Sequence, residues 1–199
     1  MEKVKRDKLD LLYDKYIKDI KATNQDQEYD LQFVLSDGDM KKGVMLIGEA
    51  PGKDEVEQNK PFVGMAGGKL KEFMDILELE RSDIFVTNII KYRLYSVNPT
   101  TKRMRNRPAK KQEILQSRQC LLDEIEILQP TMILTLGNVP LHALIDDFSL
   151  NVGMCHGKKM QYKDMTHIPL YHPASLIYNR NLESFYMKDL EYIKTLINQ

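Results

Sequence analysis

Two segments of the sequence place polar side chains directly after apolar runs. Residues 48–52 (Gly-Glu-Ala-Pro-Gly) follow the apolar run 44–47, and His172 follows the apolar stretch 168–171. An apolar run that ends in a glycine-rich loop is typical of a buried parallel strand. Ligands of open α/β sheets bind at the carboxyl ends of the strands, so the two loops are expected to meet over one pocket. A carboxylate and a histidine there could provide a general base and an electrophile.

Each candidate residue also has an ordinary structural explanation when it is taken alone. Glu49 could be a general base or could only accept a hydrogen bond from a nearby backbone N–H. Asn88 could read the edge of a ligand or could be a turn residue. Phe62 could stack on a planar ring or pack in the core, and His172 could be an electrophile or a hydrogen-bonded structural histidine. These alternatives stay open for the single residues.

The bulk composition indicates an ordinary globular domain. The chain has 199 residues, 42% of them hydrophobic, which fits a single domain spanning 1–199. Lys and Arg together number 29, as do Asp and Glu, so the net charge predicts no partner. No run approaches the roughly 18 apolar residues of a membrane span, and the charged start of the chain does not resemble a signal peptide. We therefore expect a cytoplasmic monomer that does not associate with membranes.

The cysteines and histidines do not predict a metal site. Cys120 and Cys155 are the two cysteines of the chain, and they form no Cys-x-x-Cys motif. This excludes a disulfide scaffold and a four-cysteine cluster within the chain, and reduced thiols are typical of an intracellular protein. His142, His156 and His167 show no ligand spacing with one another or with the cysteines.

One stretch, 91–111, is strongly basic, and we call it the basic segment. It contains eight Lys or Arg residues and no Asp or Glu, so the rest of the chain is acidic on balance. Such a charge run is often a solvated surface loop. The alternative is a patch that contacts phosphates. Its basic residues are Lys91, Arg93, Lys102, Arg103, Arg105, Arg107, Lys110 and Lys111.

Hydrophobic periodicity indicates strands and helices that alternate along the chain. Residues 23–43 are polar with a turn at 37–38, and 150–165 is a loop or hairpin. The alternation predicts an α/β fold: three α/β/α layers around a central, mainly parallel four-stranded sheet. The predicted strands are 44–48, 84–88, 132–136 and 167–171. The predicted helices are an N-terminal helix at 8–22, one that opens at Gly67-Gly68, and those at 112–129, 139–145 and 182–197.

Five motifs in a fixed order resemble the uracil-DNA glycosylase superfamily, and the most similar type is the iron–sulfur type often called family four. The resemblance extends from about residue 38 to residue 197. The motifs are Gly-Glu-Ala-Pro-Gly (48–52), Lys-Pro-Phe-Val-Gly-x-Ala-Gly (60–67), Val-Thr-Asn-Ile-Ile-Lys (86–91), Asn-Arg-Pro (106–108) and His-Pro-Ala-Ser-Leu (172–176).

The resemblance implies roles for the matching residues. Two acidic positions and a histidine would be catalytic, namely Glu49, Glu55 and His172. Three further residues would bind the base: Ala50 at the pocket floor, Phe62 as the stacking ring and Asn88 as the amide that reads uracil. Leu176 and its neighbours would wedge into the duplex.

The implied activity is hydrolysis of the bond between uracil and the DNA sugar, without a cofactor. A duplex hides this bond, so the nucleotide must be flipped into a pocket. The departing uracil carries negative charge on N1 and O2, which a donor at His172 would stabilise as it develops. Cytosine would leave the polar groups of Asn88 unpaired. Lys102, Arg103, Arg105 and Arg107 of the basic segment would bind the phosphates of uracil-containing DNA.

The sequence departs from the family pattern at the iron–sulfur cluster. The family has four cysteines, but here the N-terminal pair is missing and Lys-Tyr-Arg-Leu (91–94) stands where the family has Lys-Cys-Arg-Pro. Cys120 matches the last family cysteine and cannot hold a cluster alone. We therefore expect no iron–sulfur cluster. A non-catalytic DNA-binding module of the same fold is the second hypothesis, and a small nucleobase- or nucleotide-binding protein is the third.

Overall fold

A central sheet organises the structure, a computed structural model that describes residues 2–24 and 31–198. Within those residues the sheet has six strands in the order β1-β3-β2-β6-β8-β7. The four inner strands are parallel, and the two short edge strands are antiparallel to their neighbours. The strands are β1 (Asp37–Gly38), β2 (Val44–Gly48), β3 (Ile84–Asn88), β6 (Met132–Leu136), β7 (Met160–Tyr162) and β8 (Met165–Leu170).

Helices and a separate hairpin complete the described part of the chain. The hairpin pairs β4 (Tyr95–Val97) with β5 (Met104–Asn106). The helices are α1 (Lys3–Thr23), α2 (Lys53–Gln58), α3 (Met65–Leu77), α4 (Lys111–Leu128), α5 (Asn138–Ile145), α6 (Val152–Cys155), α7 (Pro173–Tyr178) and α8 (Glu183–Ile197), with a 3₁₀ turn at Arg180–Leu182.

The inner strands are mostly apolar because both faces of the sheet are covered. Successive side chains of a strand point to opposite faces. Met45 and Ile47 of β2 therefore pack in the core under α1, α4 and α5, whereas Val44 and Leu46 pack in the core under α3 and α8. The predicted three-layer α/β/α architecture is confirmed.

The predicted number of four strands is wrong, because the described sheet also contains β1 and β7. These edge strands have two and three residues, which is too short for a periodic pattern to reveal them. The turn predicted at 37–38 is β1, paired with Phe85 and Val86 of β3. The fourth inner strand begins at Met165 instead of residue 167 because its first residues pair with β7.

Two segments predicted as loops contain regular structure. The basic segment includes the hairpin β4–β5, and the residues after His172 form α7. The N-terminal helix predicted at 8–22 begins earlier, at Lys3. Residues 25–30 of the polar stretch predicted at 23–43 lie outside the described residues. No helix in the described ranges is both long enough and apolar enough to cross a membrane.

Candidate active site

The carboxyl ends of the inner strands open into a cavity of about 250 Å³. Five of the residues predicted to act on a base line this cavity together: Ala50, Glu55, Phe62, Asn88 and His172. They come from the loop after β2, from α2, from the segment between α2 and α3, from the end of β3 and from the N-cap of α7 that follows β8. The expectation that the two strand-end loops meet over one pocket is therefore met by the geometry.

Asn88 is the last residue of β3 and is only 4% exposed. Its backbone partner in the neighbouring strand is Gly48. A side chain at that glycine would collide with both the amide oxygen of Asn88 and the ring of Phe62. Glycine at position 48 thus lets an amide and an aromatic ring close over the end of β2. Within residues 2–24 and 31–198 the Asn88 amide has no hydrogen-bond partner.

Phe62 adopts a backbone conformation that bulky residues rarely take, with φ at +57°. Its backbone is packed against Gly67, where any side chain would collide with the Phe62 carbonyl. Its ring lies nearly parallel to the His172 ring, with 6.4 Å between the centroids and 28° between the planes. Strained backbone of this kind concentrates at functional sites. Phe62 and His172 form two adjoining flat walls of the cavity.

Glu55 is buried and holds the loops around the cavity in place. One carboxylate oxygen, Oε1, accepts hydrogen bonds from the N–H groups of Val63 and Gly64, at 3.2 and 2.9 Å. The other, Oε2, accepts from the N–H of Gly52 at 3.0 Å. Each carboxylate oxygen has about two acceptor positions. Oε2 therefore keeps one position for a further donor in the cavity.

His172 caps the N-terminus of α7, and this contact defines its tautomer. Nδ1 accepts a hydrogen bond from the N–H of Ala174 at 3.2 Å, so the proton of the neutral ring is on Nε2. Burial lowers the pKa of His172 below its usual value, and the negative charge of Glu55 opposes that shift. The site therefore presents a neutral imidazole whose Nε2–H is a hydrogen-bond donor.

Glu49 lies beside the cavity lining and not within it. Its Oε1 accepts a hydrogen bond from the backbone N–H of Ala109 at 2.9 Å. The carboxylate therefore fastens the segment after the hairpin to the loop after β2. This contact corresponds to the structural alternative for Glu49, while the backbone of the same residue continues into Ala50 of the cavity wall.

The cations predicted to bind phosphate differ in their surroundings. Lys102, Arg103 and Arg105 are exposed on the hairpin. Arg107 forms a two-pronged ion pair with Glu113 at the start of α4, and its hydrogen bonds to Glu113 raise the pKa of Arg107. The eight cations of the basic segment do not form one surface patch, because Lys91 is fully buried.

Lys91 belongs to a buried polar network on the other side of Asn88. Its Nζ donates to Glu124 Oε2, to the Thr87 hydroxyl and to the Asn88 carbonyl, at 2.9, 3.0 and 2.8 Å. Glu124 also accepts from the hydroxyl of Tyr13. The other four members of the network lie on α1, β3 and α4: Tyr13, Thr87, Asn88 and Glu124. A pattern along the sequence cannot reveal this burial, since the compensating carboxylate is on a different helix.

The residues after the His172 cap bring apolar side chains to the rim. Leu176 is partly buried and packs against the core that includes α3 and α8. Ile177 and Tyr178 line the cavity and are 43% and 81% exposed. Two exposed apolar side chains at the mouth of a polar cavity form a surface that can contact a ligand larger than the cavity.

Sequence reasoning gave no role to Asn106, the last residue of β5, although it lines the cavity. Its Oδ1 accepts a hydrogen bond from Nε of Arg93 at 2.9 Å. The hairpin pairs Asn106 with Tyr95, so both side chains lie on one face of the hairpin. The signal was the Asn-Arg-Pro motif itself, but only the hairpin shows that its asparagine reaches the cavity.

Comparison with known proteins agrees with the fold. Residues 35–196 match the family model described as "Uracil DNA glycosylase superfamily", and the chain belongs to that superfamily. It is 33% identical over 170 residues to the "Type-4 uracil-DNA glycosylase" of Pyrobaculum aerophilum, covering 82% of each chain. It is also 33% identical over 174 residues to the protein of the same name from Saccharolobus solfataricus, covering 83% of this chain and 76% of that one.

A solved structure shows the same fold at low sequence identity. The wild-type SMUG2 of Pedobacter heparinus superimposes with a TM-score of 0.51 at 13% identity, over 92% of this chain and 99% of that chain. The most similar type within the superfamily remains family four, as the sequence motifs indicated.

The residues at the family's cluster position do not fit an iron–sulfur cluster. Cys120 is the one cysteine at this position, and burial raises the pKa of its thiol to about 12. Tyr92, which stands where the family has a cysteine, packs edge-on against Phe33 with 5.8 Å between centroids, and Phe33 packs edge-on against Tyr16. Among the described residues no three His, Cys, Asp or Glu side chains converge as metal ligands. Aromatic packing occupies this part of the core.

Proposed function

We propose that the protein hydrolyses the N-glycosidic bond of uracil in DNA, with the target base turned out of the helix into the cavity. One observation carries the proposal: the Asn88 amide and His172 Nε2–H face one cavity without protein partners in the described chain, next to the Phe62 ring. Polar groups that open into a cavity and have no protein partner are available to a ligand. Membership of the superfamily and the names of the relatives support the same chemistry.

Recognition of uracil rests on Asn88. A carboxamide has one acceptor and two donors, which suits the N3–H and O4 of uracil. Cytosine presents an amino group and a bare ring nitrogen at these positions, so buried groups of Asn88 would stay unpaired. Such a mismatch discriminates more strongly than the loss of contact area. Phe62 contributes an aromatic face on which a planar base can stack.

Bond cleavage rests on His172 and Glu55. As the bond between C1′ and N1 breaks, its electron pair moves to the base, and negative charge collects on N1 and O2. The Nε2–H of His172 donates to that oxygen and stabilises the charge where it develops. Water adds to C1′ and releases a proton, and the base anion takes up a proton. The free acceptor position on Glu55 Oε2 suits orientation of this water, and its charge stabilises the positive sugar in the transition state.

Binding of DNA rests on the rim of the cavity. The exposed side chains of Ile177 and Tyr178 fit the gap that an extruded base leaves in a duplex, next to Leu176. Lys102, Arg103 and Arg105 supply phosphate contacts, with Arg107 beside them. We also propose that the protein acts as a monomer in the cytoplasm, with residues 1–199 forming a single domain.

The test is excision of uracil from an oligonucleotide. The purified protein is incubated with strands that contain a single uracil or a single cytosine, single-stranded and in duplex, and alkali then cleaves abasic sites. We expect cleavage of uracil strands only, dependent on alkali, and at least about a hundredfold slower with Asn88→Ala. Asn198→Ala makes the same chemical change at the exposed end of α8 and should keep the parent rate.

The same experiment separates the other hypotheses. Binding of the uracil strand without release of the base would favour a non-catalytic DNA-binding module. Binding of free uracil without binding of DNA would favour a nucleobase-binding protein. Strand cleavage without alkali would show that the enzyme has a lyase activity and contradict the monofunctional mechanism.

A further inference from the structure

Arg93 is a buried cation without an anionic partner. It is only 7% exposed, yet within residues 2–24 and 31–198 no carboxylate lies at ion-pair distance from its guanidinium. Its Nε donates to Asn106, and its guanidinium carbon lies 5.4 Å from the centre of the Tyr95 ring. The ring compensates part of the charge but accepts no hydrogen bond at the edge of the guanidinium. The four N–H groups on the two terminal nitrogens stay without an acceptor.

A charge in such a position is expected to have a counter-ion. Removing a guanidinium from water is costly unless it is paired and hydrogen-bonded. The other buried cation of the basic segment shows the usual solution, since Lys91 donates to three acceptors including a carboxylate. Arg93 lacks that solution within the described chain. The terminal nitrogens of Arg93 are not sealed from solvent, so an anion from outside can complete its pairing.

Asn106 connects this cation to the cavity. Its Oδ1 is occupied by Arg93, so the amide can offer only its Nδ2 donors. Nδ2 lies 3.1 Å from the position that a side chain at Gly52 would take, at the edge of the Gly-Glu-Ala-Pro-Gly loop. Nδ2 has no acceptor among the described residues. Arg93 and Asn106 thus offer donors on one face of the hairpin, next to the pocket.

The chemistry of these donors selects a phosphate. A guanidinium edge and an amide N–H₂ match the tetrahedral oxygens of a phosphate diester, which arginine commonly binds in a two-pronged manner. The carboxylates of Asp54 and Glu55 also line the cavity and would repel an anion at its base end. Glu55 Oε2 lies 2.7 Å from the same Gly52 position that Asn106 Nδ2 approaches, so the phosphate is expected on the Arg93 side of Asn106, away from that carboxylate.

We propose that Arg93 and Asn106 bind a phosphate directly adjacent to the nucleotide whose base enters the cavity. This inference rests on the proposed function, because it takes the ligand of the cavity to be a base within a DNA strand. It deepens that function by specifying a substrate: a nucleotide with its phosphate attached, in preference to a free base or nucleoside. Arg93 and Asn106 are binding residues that hold the sugar–phosphate while the base is extruded.

The test couples one protein residue to one phosphate. Binding is measured with three single-stranded oligonucleotides of one sequence that carry 2′-fluorodeoxyuridine, a uracil nucleotide that resists excision. The first is fully charged, the second carries neutral methylphosphonates on both sides of that nucleotide, and the third carries two several positions away. The parent should lose about ten- to a hundredfold in affinity for the second oligonucleotide, the usual range for hydrogen bonds to a charged group.

The variants decide the assignment. Arg93→Met should bind the charged strand as weakly as the parent binds the neutralised one, and neutralisation should cost it no more than about twofold. Arg93→Lys keeps the charge without the planar fork and should keep part of the effect. Asn106→Ala, a change at an exposed position, should reduce the effect without threatening the fold. Lys41→Met removes a charge from an exposed residue that precedes β2, at the end of the sheet opposite the cavity, so neutralisation should still cost it the full parental factor.

Several results would overturn the inference. One is that neutralising the adjacent phosphates costs both Arg93→Met and Asn106→Ala the full parental loss of affinity. Another is that the parent loses as much affinity when distant phosphates are neutralised as when adjacent ones are. A third is that the parent does not bind the strands. Excision of ordinary uracil by the parent is measured separately. Excision without coupling to Arg93 would remove the phosphate site and leave the proposed function intact. Coupling without excision would remove the proposed activity and leave the phosphate site intact.

Discussion

Two polar clusters meet at Asn88, and they differ in how completely their groups are paired. On the core side, the Lys91 ammonium has three acceptors, one of them the Asn88 carbonyl, and the Glu124 carboxylate accepts from Lys91, Thr87 and Tyr13. On the cavity side, the Asn88 amide and the Nε2–H of His172 have no partner among the described residues. Both clusters are polar and largely shielded from solvent. The pairing alone tells them apart.

The difference teaches how to separate structural from functional polar residues in this protein. A fully paired buried cluster costs little once formed and holds one arrangement of the chain. Unpaired donors and acceptors reduce stability when they are buried, and those that line a cavity are available to a ligand. The Lys91 network fixes the backbone at the end of β3, so that the Asn88 side chain is held ready on the other side. Substitutions in the core-side cluster should therefore lower stability, and substitutions in the cavity-side cluster should lower activity.

The largest effect is expected from Lys91→Met. The substitution leaves the carboxylate of Glu124 buried without its cation, which typically costs about 3–5 kcal/mol of unfolding free energy. Urea unfolding followed by circular dichroism measures it. A second variant, Lys91→Met with Glu124→Leu, removes both charges and should recover a substantial part of the loss. Unchanged stability in Lys91→Met would show that the network is not the structural cluster described above.

The next effect is expected from His172→Ala in the cavity. Loss of the Nε2–H donor should slow single-turnover excision of uracil by about a hundred- to a thousandfold, as for other donors that stabilise a developing anion. The unfolding free energy should fall by only about 1 kcal/mol, because the residue also caps α7. His142→Ala is the control, since the Nε2–H of that ring donates to the Leu150 carbonyl outside the cavity. Equal rates for His172→Ala and the parent would assign His172 a structural role.

The sequence predicted the inner part of the fold and much of the cavity for a physical reason. The strands at 44–48, 84–88 and 132–136 are buried on both faces and therefore consist of continuous apolar runs. The motif residues stand at their ends, where the chain must leave the sheet. The hairpin β4–β5 and the edge strands were beyond this reasoning, because their residues alternate weakly and are stabilised by pairing with distant segments.

Long-range pairing also explains what the sequence could not show of the site. Arg93 and Lys91 are two residues apart in one basic run, yet Lys91 meets a carboxylate of α4 and Arg93 meets an amide of β5. The hydrogen bond that Glu49 accepts depends on the position of Ala109. None of these contacts is local, so a pattern of residue types cannot distinguish a buried cation from an exposed one.

The third effect is a loss of stability at acidic pH, and it distinguishes His167 in β8 from His172, which follows that strand. His167 is buried in β8 with Nε2 hydrogen-bonded to Thr135, and burial lowers its pKa to about 4. The unfolded chain binds a proton at this residue near pH 6.5. As the pH falls from 6.5 towards 4, the unfolded state is therefore protonated first, and stability is lost. Between about pH 7 and about pH 4.5 the loss due to His167 should be about 2–3 kcal/mol.

Urea unfolding at both pH values measures this effect against His167→Gln. The variant should be less stable than the parent at neutral pH, but the gap should narrow by about 2–3 kcal/mol at the lower pH. His172, whose pKa is also lowered, contributes with the same sign in both proteins, so the comparison isolates His167. A constant gap between parent and variant would place the titration of His167 outside this range.

The smallest effect concerns a single exposed cation of the hairpin, and it distinguishes the surface of the basic segment from its buried part. If Arg105 contacts a phosphate in the proposed complex, Arg105→Ala releases about one counterion fewer, and the slope of log affinity against log salt should become shallower by about 0.9. Between about 50 mM and about 200 mM salt the fall in affinity should then shrink by about three- to fourfold.

Lys41→Ala removes a charge from an exposed residue that precedes β2, at the end of the sheet opposite the cavity, and should leave the slope unchanged. The single-turnover rate at saturating DNA should be the same in both variants, because a phosphate contact of this kind binds ground state and transition state alike. Equal slopes for the two variants would show that Arg105 is a solvated surface charge, and DNA would then be held by the groups at the cavity rim.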